Sequence, residues 1–169
     1  MRITLEDLQL HPIVVSKTYS PGALDYHGAD FRQSAPLKVE ARAELSGSEI
    51  HLRGHLATTL EASCDRCLGA VAIPVERDFD LFYRPVSTLA QAEEVELPAD
   101  ELEVGFFSGD GIELADVLTE QVILSVPMKV VCRADCRGLC PACGADLNLA
   151  QCGCRPAAEG SPFSSLTKG

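Results

Sequence analysis

Long apolar runs are missing from this sequence. None approaches the roughly 20 residues a membrane-spanning helix needs. The amino terminus, Met1-Arg2-Ile3-Thr4-Leu5-Glu6-Asp7, places acids where an export signal requires an unbroken apolar stretch. These absences read as a cytoplasmic chain with no membrane partner. Basic residues are scarce too, 14 Lys and Arg against 25 Asp and Glu, for a formal net charge of −11. A surface of that sign repels a phosphate backbone and more naturally meets a basic protein, although solubility alone also accounts for it. Catalytic signatures are wanting as well. There is no G-x-S-x-G, no phosphate-binding glycine loop and no dinucleotide fingerprint, and the serines and histidines show no triad spacing. The expectation is a protein that is not an enzyme.

What is present begins with enough apolar residue, 46% of 169, to bury a core. Leu37, Val39, Ala41, Ala43 and Leu45 alternate with Lys38, Glu40, Arg42 and Glu44, the period of a strand with one buried face. Gly47 and Ser48 supply a turn, and Ile50, Leu52, Leu56, Leu60 and Ala62 continue the alternation, with Gly54 marking a bulge or a close-packed point. A third run follows in Val71, Ile73, Val75, Phe79, Leu81 and Tyr83. Short turns between the three predict an antiparallel meander. Ile13-Val14-Val15 adds a further strand, the residues from Pro21 to Pro36 read as an irregular connection, and a short strand is expected near Leu102 to Phe107 behind an acidic loop around Pro98. His51 and His55 fall on the polar phase and read as solvated.

One helix is signalled. Asp110 and Glu113 have capping-box spacing, Leu114, Val117, Leu118 and Val122 recur at helical intervals, and Pro127 ends it. A helix laid on the meander gives the fold class α+β, an antiparallel β-meander covered by one main helix, with a cysteine-rich zinc-knuckle segment at the C-terminal end. The corresponding division is a core over 1–131, a zinc-binding segment over 132–154 packed on it, and a flexible tail over 155–169.

Eight cysteines carry the chemistry: Cys64, Cys67, Cys132, Cys136, Cys140, Cys143, Cys152 and Cys154. In a reducing compartment such a count points to metal rather than to disulfides. Cys140-Pro141-Ala142-Cys143-Gly144 is a C-x2-C knuckle, and Cys152 and Cys154 follow closely enough to complete a four-sulfur site. Cys64, Cys67, Cys132 and Cys136 would form a second, with Cys64 and Cys67 at a hairpin tip. The pairing is open at this point, since Cys64 and Cys67 could instead join Cys140 and Cys143. Two zinc ions, each saturated by thiolates, would be structural because no position is left for water or substrate. Two other readings compete: a nucleic-acid-binding zinc module touching RNA through Arg133, Arg137 and Arg155, and a thiol oxidoreductase using a C-x2-C pair. The latter lacks the βαβ unit in which such redox motifs sit.

Certain runs go further. Cys64-Asp65-Arg66-Cys67-Leu68, a helix ending at Val126-Pro127-Met128, Cys132, and the stretch Cys136-Arg137-Gly138-Leu139-Cys140-Pro141-Ala142-Cys143-Gly144-Ala145-Asp146-Leu147-Asn148 together resemble the YceD family of large ribosomal RNA subunit accumulation proteins. Gly22-Ala23-Leu24-Asp25-Tyr26 extends the resemblance upstream. It implies a non-catalytic role in large-subunit RNA accumulation and ribosome biogenesis, with large-subunit precursors or basic ribosomal proteins as partners. It supplies no set of functional residues, so the candidate site residues are the eight cysteines, with zinc as a brace.

Overall fold

The computed structural model describes residues 1–87 and 104–154, which divide into two compact units. The first holds Met1–Ala62 and Ala72–Met128; the second holds Ser63–Val71 and the chain from Lys129 on. The fold class is α+β.

The three alternating runs are strands β4 (Leu37–Ser46), β5 (Glu49–Ser63) and β6 (Ala70–Pro85), neighbours in one six-stranded sheet. Burial follows the alternation, with Leu37, Val39, Ile50, Leu52, Leu56 and Leu60 all sealed from solvent. Strands β4 and β5 pair antiparallel without interruption from Lys38↔Ala57 to Ser46↔Glu49. Gly54 is therefore no bulge but a point of close approach. A Cβ there would stand 2.4 Å from the Glu40 carbonyl oxygen and 2.7 Å from the Ala41 Cβ. Strand β2 (Ile13–Tyr19) lies along the other side of β4, also antiparallel.

Several elements depart from expectation. Within the stretch read as irregular, β3 (Phe31–Gln33) pairs with β5. It is anchored by a buried polar side chain: Gln33 Nε2 donates to the carbonyls of Tyr19 and Ala35, while its Oε1 accepts from the Tyr26 hydroxyl at 2.9 Å. Hydrophobic periodicity cannot see such an anchor. Strand β7 (Val104–Phe107) pairs with β6 in the parallel sense, so the sheet is a meander with a parallel edge. The acidic loop around Pro98, Leu102 and the tail over 155–169 lie outside the described residues. His51 is not solvated, because its ring stacks on Phe82 at 4.3 Å and its Nε2 meets the Asp80 carboxylate.

The expected helix is α2 (Leu114–Ile123), with Leu114, Val117, Leu118 and Val122 buried. Its capping box does not form. Gly111–Glu113 is instead strand β8, paired antiparallel with β1 (Arg2–Thr4), and this pairing holds the backbone extended where a cap would wind it. Asp110 is taken by Arg2, whose Nε donates to it at 2.7 Å, and the Leu114 N–H bonds the Met1 carbonyl. Helix α1 (Leu5–Leu10), which the sequence reading lacks, begins at Thr4, whose side chain accepts the Asp7 N–H. Across the sheet, Arg77 of β6 donates to Gln121 of α2 at 3.1 Å. No helix among the described residues is long and apolar enough to cross a membrane.

Candidate metal centre

Every candidate residue belongs to the second unit. Between β5 and β6 the chain turns through Cys64-Asp65-Arg66-Cys67-Leu68-Gly69, and the Leu68 N–H returns to the Cys64 carbonyl at 2.9 Å. The second knuckle repeats this turn, with the Gly144 N–H on the Cys140 carbonyl at 2.8 Å. In both, the residue after the second cysteine is left-handed, at φ +61 for Leu68 and +73 for Gly144.

The two residues inside the first knuckle bring the rest of the site to it. Asp65 binds Val130 twice, its N–H donating to the Val130 carbonyl and its carboxylate accepting the Val130 N–H at 2.7 Å. The Arg66 guanidinium donates to the carbonyls of Ala134 and Cys136. Cys132 and Cys136 are thereby delivered to Cys64 and Cys67, and the Cys132 N–H points at the Cys64 sulfur.

The eight sulfurs fall into two groups, Cys64, Cys67, Cys132 and Cys136 in one and Cys140, Cys143, Cys152 and Cys154 in the other, with all four sulfurs of a group within 4.8 Å of one another. In the first, Cys64 and Cys136 are 3.9 Å apart and Cys67 and Cys132 are 3.7 Å apart. A disulfide needs about 2.05 Å, whereas a tetrahedron with metal–sulfur bonds of about 2.3 Å has an edge of roughly 3.8 Å. The spacing fits a four-thiolate metal centre.

The local electrostatics agree. Backbone N–H groups of Arg66, Cys132 and Cys67 lower the Cys64 thiol to about 6. Those of Cys143 and Ala142, helped by the Cys152 thiol, lower Cys140 to about 6. Burial pushes Cys136 up, but the Gly138 N–H, the Asn148 amide and neighbouring thiols outweigh it, and its net shift is downward. The Cys136 thiol and burial push Cys132 up to about 12, and the thiol and charge of Cys143 do the same to Cys154. The first group thus pairs two thiols shifted down, Cys64 and Cys136, with two shifted up, Cys67 and Cys132, and in the second Cys140 is shifted down while Cys152 and Cys154 are shifted up by neighbouring thiols. Four thiolates can share that space only around a cation. Both groups can therefore hold a metal ion.

Asn148 lies on the loop between Cys143 and Cys152. Its Oδ1 accepts the Arg137 N–H and the Arg133 guanidinium, each at 2.8 Å, and its Nδ2 donates to Asp146 at 2.7 Å and to the Cys136 sulfur at 3.5 Å. Asp65, Arg66 and Asn148 support the site without being ligands. Their one signal in the sequence is their place inside the cysteine runs. Of the arginines considered for RNA, Arg133 is engaged by Asn148 and Asp135, and Arg155 lies outside the described residues.

Comparison with known proteins bears on the whole arrangement. The profile of the family described as "Large ribosomal RNA subunit accumulation protein YceD" matches residues 52–168, a span containing both thiol groups. The chain belongs to the YceD family. An uncharacterised protein of Mycobacterium tuberculosis is 31% identical over 140 residues, covering 82% of this chain and 63% of that protein. One from Mycobacterium leprae is 29% identical over 114 residues, 67% of this chain and 50% of its own length. The Arabidopsis thaliana chloroplastic protein named large ribosomal RNA subunit accumulation protein YCED homolog 1 is 22% identical over 154 residues, 74% of this chain and 46% of the plant protein. The matched stretch thus spans less than two thirds of the length of each of these relatives. No solved structure matches the chain.

Proposed function

We propose that this protein is a zinc-braced, non-catalytic factor in assembly of the large ribosomal subunit. Membership of a family named for large ribosomal RNA accumulation carries the reading. The partners would be large-subunit precursors or basic ribosomal proteins, met in the cytoplasm by a chain of net charge −11. Direct contact with RNA backbone is disfavoured by the same charge.

Cys64, Cys67, Cys132 and Cys136 would hold one zinc, and Cys140, Cys143, Cys152 and Cys154 the other. Zinc is favoured because the donors are four soft thiolates at tetrahedral spacing. Bound there, it supplies cross-links and charge neutralisation. Asp65 and Arg66 dock the segment carrying Cys132 and Cys136 to the hairpin tip, and the backbone N–H groups around Cys64 and Cys140 favour their thiolate forms. With all four positions taken by sulfur, no reactant has a place on the metal.

Depletion followed by gradient sedimentation tests the role. Mature large-subunit RNA should fall, large-subunit precursors should accumulate, and the tagged protein should sediment with those precursors. An unchanged subunit profile would sink the assembly reading. Elemental analysis of the purified chain tests the brace separately, with two zinc atoms per chain expected.

A further inference from the structure

Asn148 belongs to the loop of one sulfur group and touches a sulfur of the other. Cys143 and Cys152 hold the two ends of that loop, so its order depends on the second group. Its contact, however, is with Cys136 of the first group, 3.5 Å from the amide nitrogen. The orientation of the amide is fixed by its neighbours. The oxygen receives two N–H donors, from Arg137 and Arg133, so the nitrogen must face the Asp146 carboxylate and the Cys136 sulfur.

The backbone ties the same two regions together. The strip from Cys136 to Cys140 carries a ligand of each group at its ends. Beside it runs the loop from Ala145 to Asn148, zipped on by Cys140 N–H to Ala145 O (2.8 Å), Leu147 N–H to Gly138 O (2.9 Å) and the Leu139↔Asp146 bridge. Gly138 lets the strip pass the first knuckle. At φ +73 its missing Cβ would stand 2.8 Å from the Arg66 carbonyl oxygen, which accepts the Leu139 N–H. An N–H donated to a metal-bound thiolate offsets part of its charge and fixes its direction, the task of an outer-shell residue. Here that residue is supplied by the other centre.

We propose that Asn148 is a positioning residue coupling the two centres, so that an ion on Cys140, Cys143, Cys152 and Cys154 tightens the hold of Cys64, Cys67, Cys132 and Cys136 on theirs. The inference rests on the reading of both groups as metal centres. Linkage makes the effect reciprocal: whatever factor the second centre lends the first, the first lends back.

The test is zinc competition against a chromophoric chelator on the full chain, with cadmium-113 NMR to tell the centres apart. Disabling the second centre by Cys152→Ser with Cys154→Ser should weaken zinc at the first about tenfold or more, the usual cost of losing an outer-shell partner. Asn148→Ala in the intact chain should cost about the same. In the disabled background it should cost about twofold at most, since the contact is already lost. Asn148→Ser, which keeps an acceptor for the loop but is too short to reach the sulfur, should reproduce the loss if the alanine variant folds poorly. In the cadmium-loaded wild type, the Asn148 side-chain amide should show scalar coupling to the ion on Cys136 and none to the other, a signal a purely structural asparagine would not give. Two ions bound with independent affinities, additive losses, or no such coupling would overturn the link while leaving the metal reading standing. A chain that takes up no ion would overturn both.

Discussion

Leu68 is the one described residue in either knuckle that works against its own backbone preference. It sits at φ +61, a left-handed conformation that costs an L-residue roughly 1–2 kcal/mol, and it is 66% exposed, so its side chain recovers little by burial. The matching position in the second knuckle is Gly144, to which that conformation is open without strain. Leu68→Gly should therefore stabilise the protein by about 0.5–1 kcal/mol once the greater freedom of glycine in the unfolded chain is set against the relieved strain. Urea denaturation of the metal-loaded protein measures it. A loss of stability would mean that the exposed leucine is held by a contact stronger than the strain. Arg66 allows a complementary prediction. Its guanidinium binds the carbonyls of Ala134 and Cys136, so Arg66→Ala should lower zinc affinity at the first centre by about tenfold, read by chelator competition, while Arg66→Lys, without the planar fork, should recover only part of it.

Among the elements, the β6–β7 pair shows how a short strand is held without a hydrophobic pattern of its own. Tyr83 stands opposite Gly105, and a Cβ on that glycine would lie 2.5 Å from the Tyr83 ring. The ring occupies the glycine's side-chain space. Burial, with Glu120 nearby, pushes the Tyr83 hydroxyl from 10.0 up to about 12. The folded state then binds a proton that the unfolded chain releases between those values, so stability falls as pH rises from about 10 to about 12 and is unaffected by this group below that window. Tyr83→Phe should remove that part of the alkaline loss, seen by denaturation across the window beside tyrosinate absorbance. What the sequence made legible follows the same physics. Strands β4, β5 and β6 could be read because each buries one face, so apolar residues alternate. Strands β1, β3 and β8 are three residues long and hold their places by backbone pairing and by Gln33, which leave no periodic trace. The parallel sense of β7 is likewise invisible, since four residues carry no direction. The capping box at Asp110 and Glu113 misled because β1 claimed the intervening backbone first. The cysteines could be found from ligand spacing, whereas Asp65, Arg66 and Asn148 act on backbone and sulfur far along the chain.

At the scale of the whole molecule the two units differ in what can hold each of them. The buried apolar side chains of the first include Ile3, Leu37, Ile50, Leu52, Leu56, Leu60, Leu114 and Leu118, a hydrocarbon core on the scale that stabilises a small domain. Among the described residues of the second, that class comprises Cys64, Val130, Cys136 and Cys140. One valine and three thiols cannot offset the entropy of ordering such a segment. On the proposed reading the sulfurs supply much of what orders it, because metal binding of this kind is folding free energy. Stripping the ions with a strong chelator under reducing conditions should therefore act unevenly. Amides of the second unit that are hydrogen-bonded near the sulfurs, those of Leu139, Cys140, Gly144 and Leu147, should lose their protection against hydrogen exchange, while those of Val39, Leu52 and Leu56 in the sheet keep theirs. Acid should do the same without a chelator, because protons compete with the metal for the thiolates and the ions leave as pH falls. Returning zinc at neutral pH should restore the lost protection. If the Leu139 and Cys140 amides stayed protected in a demonstrably metal-free chain, the thiols would be held by something other than an ion, and the brace would have to be sought elsewhere in the molecule.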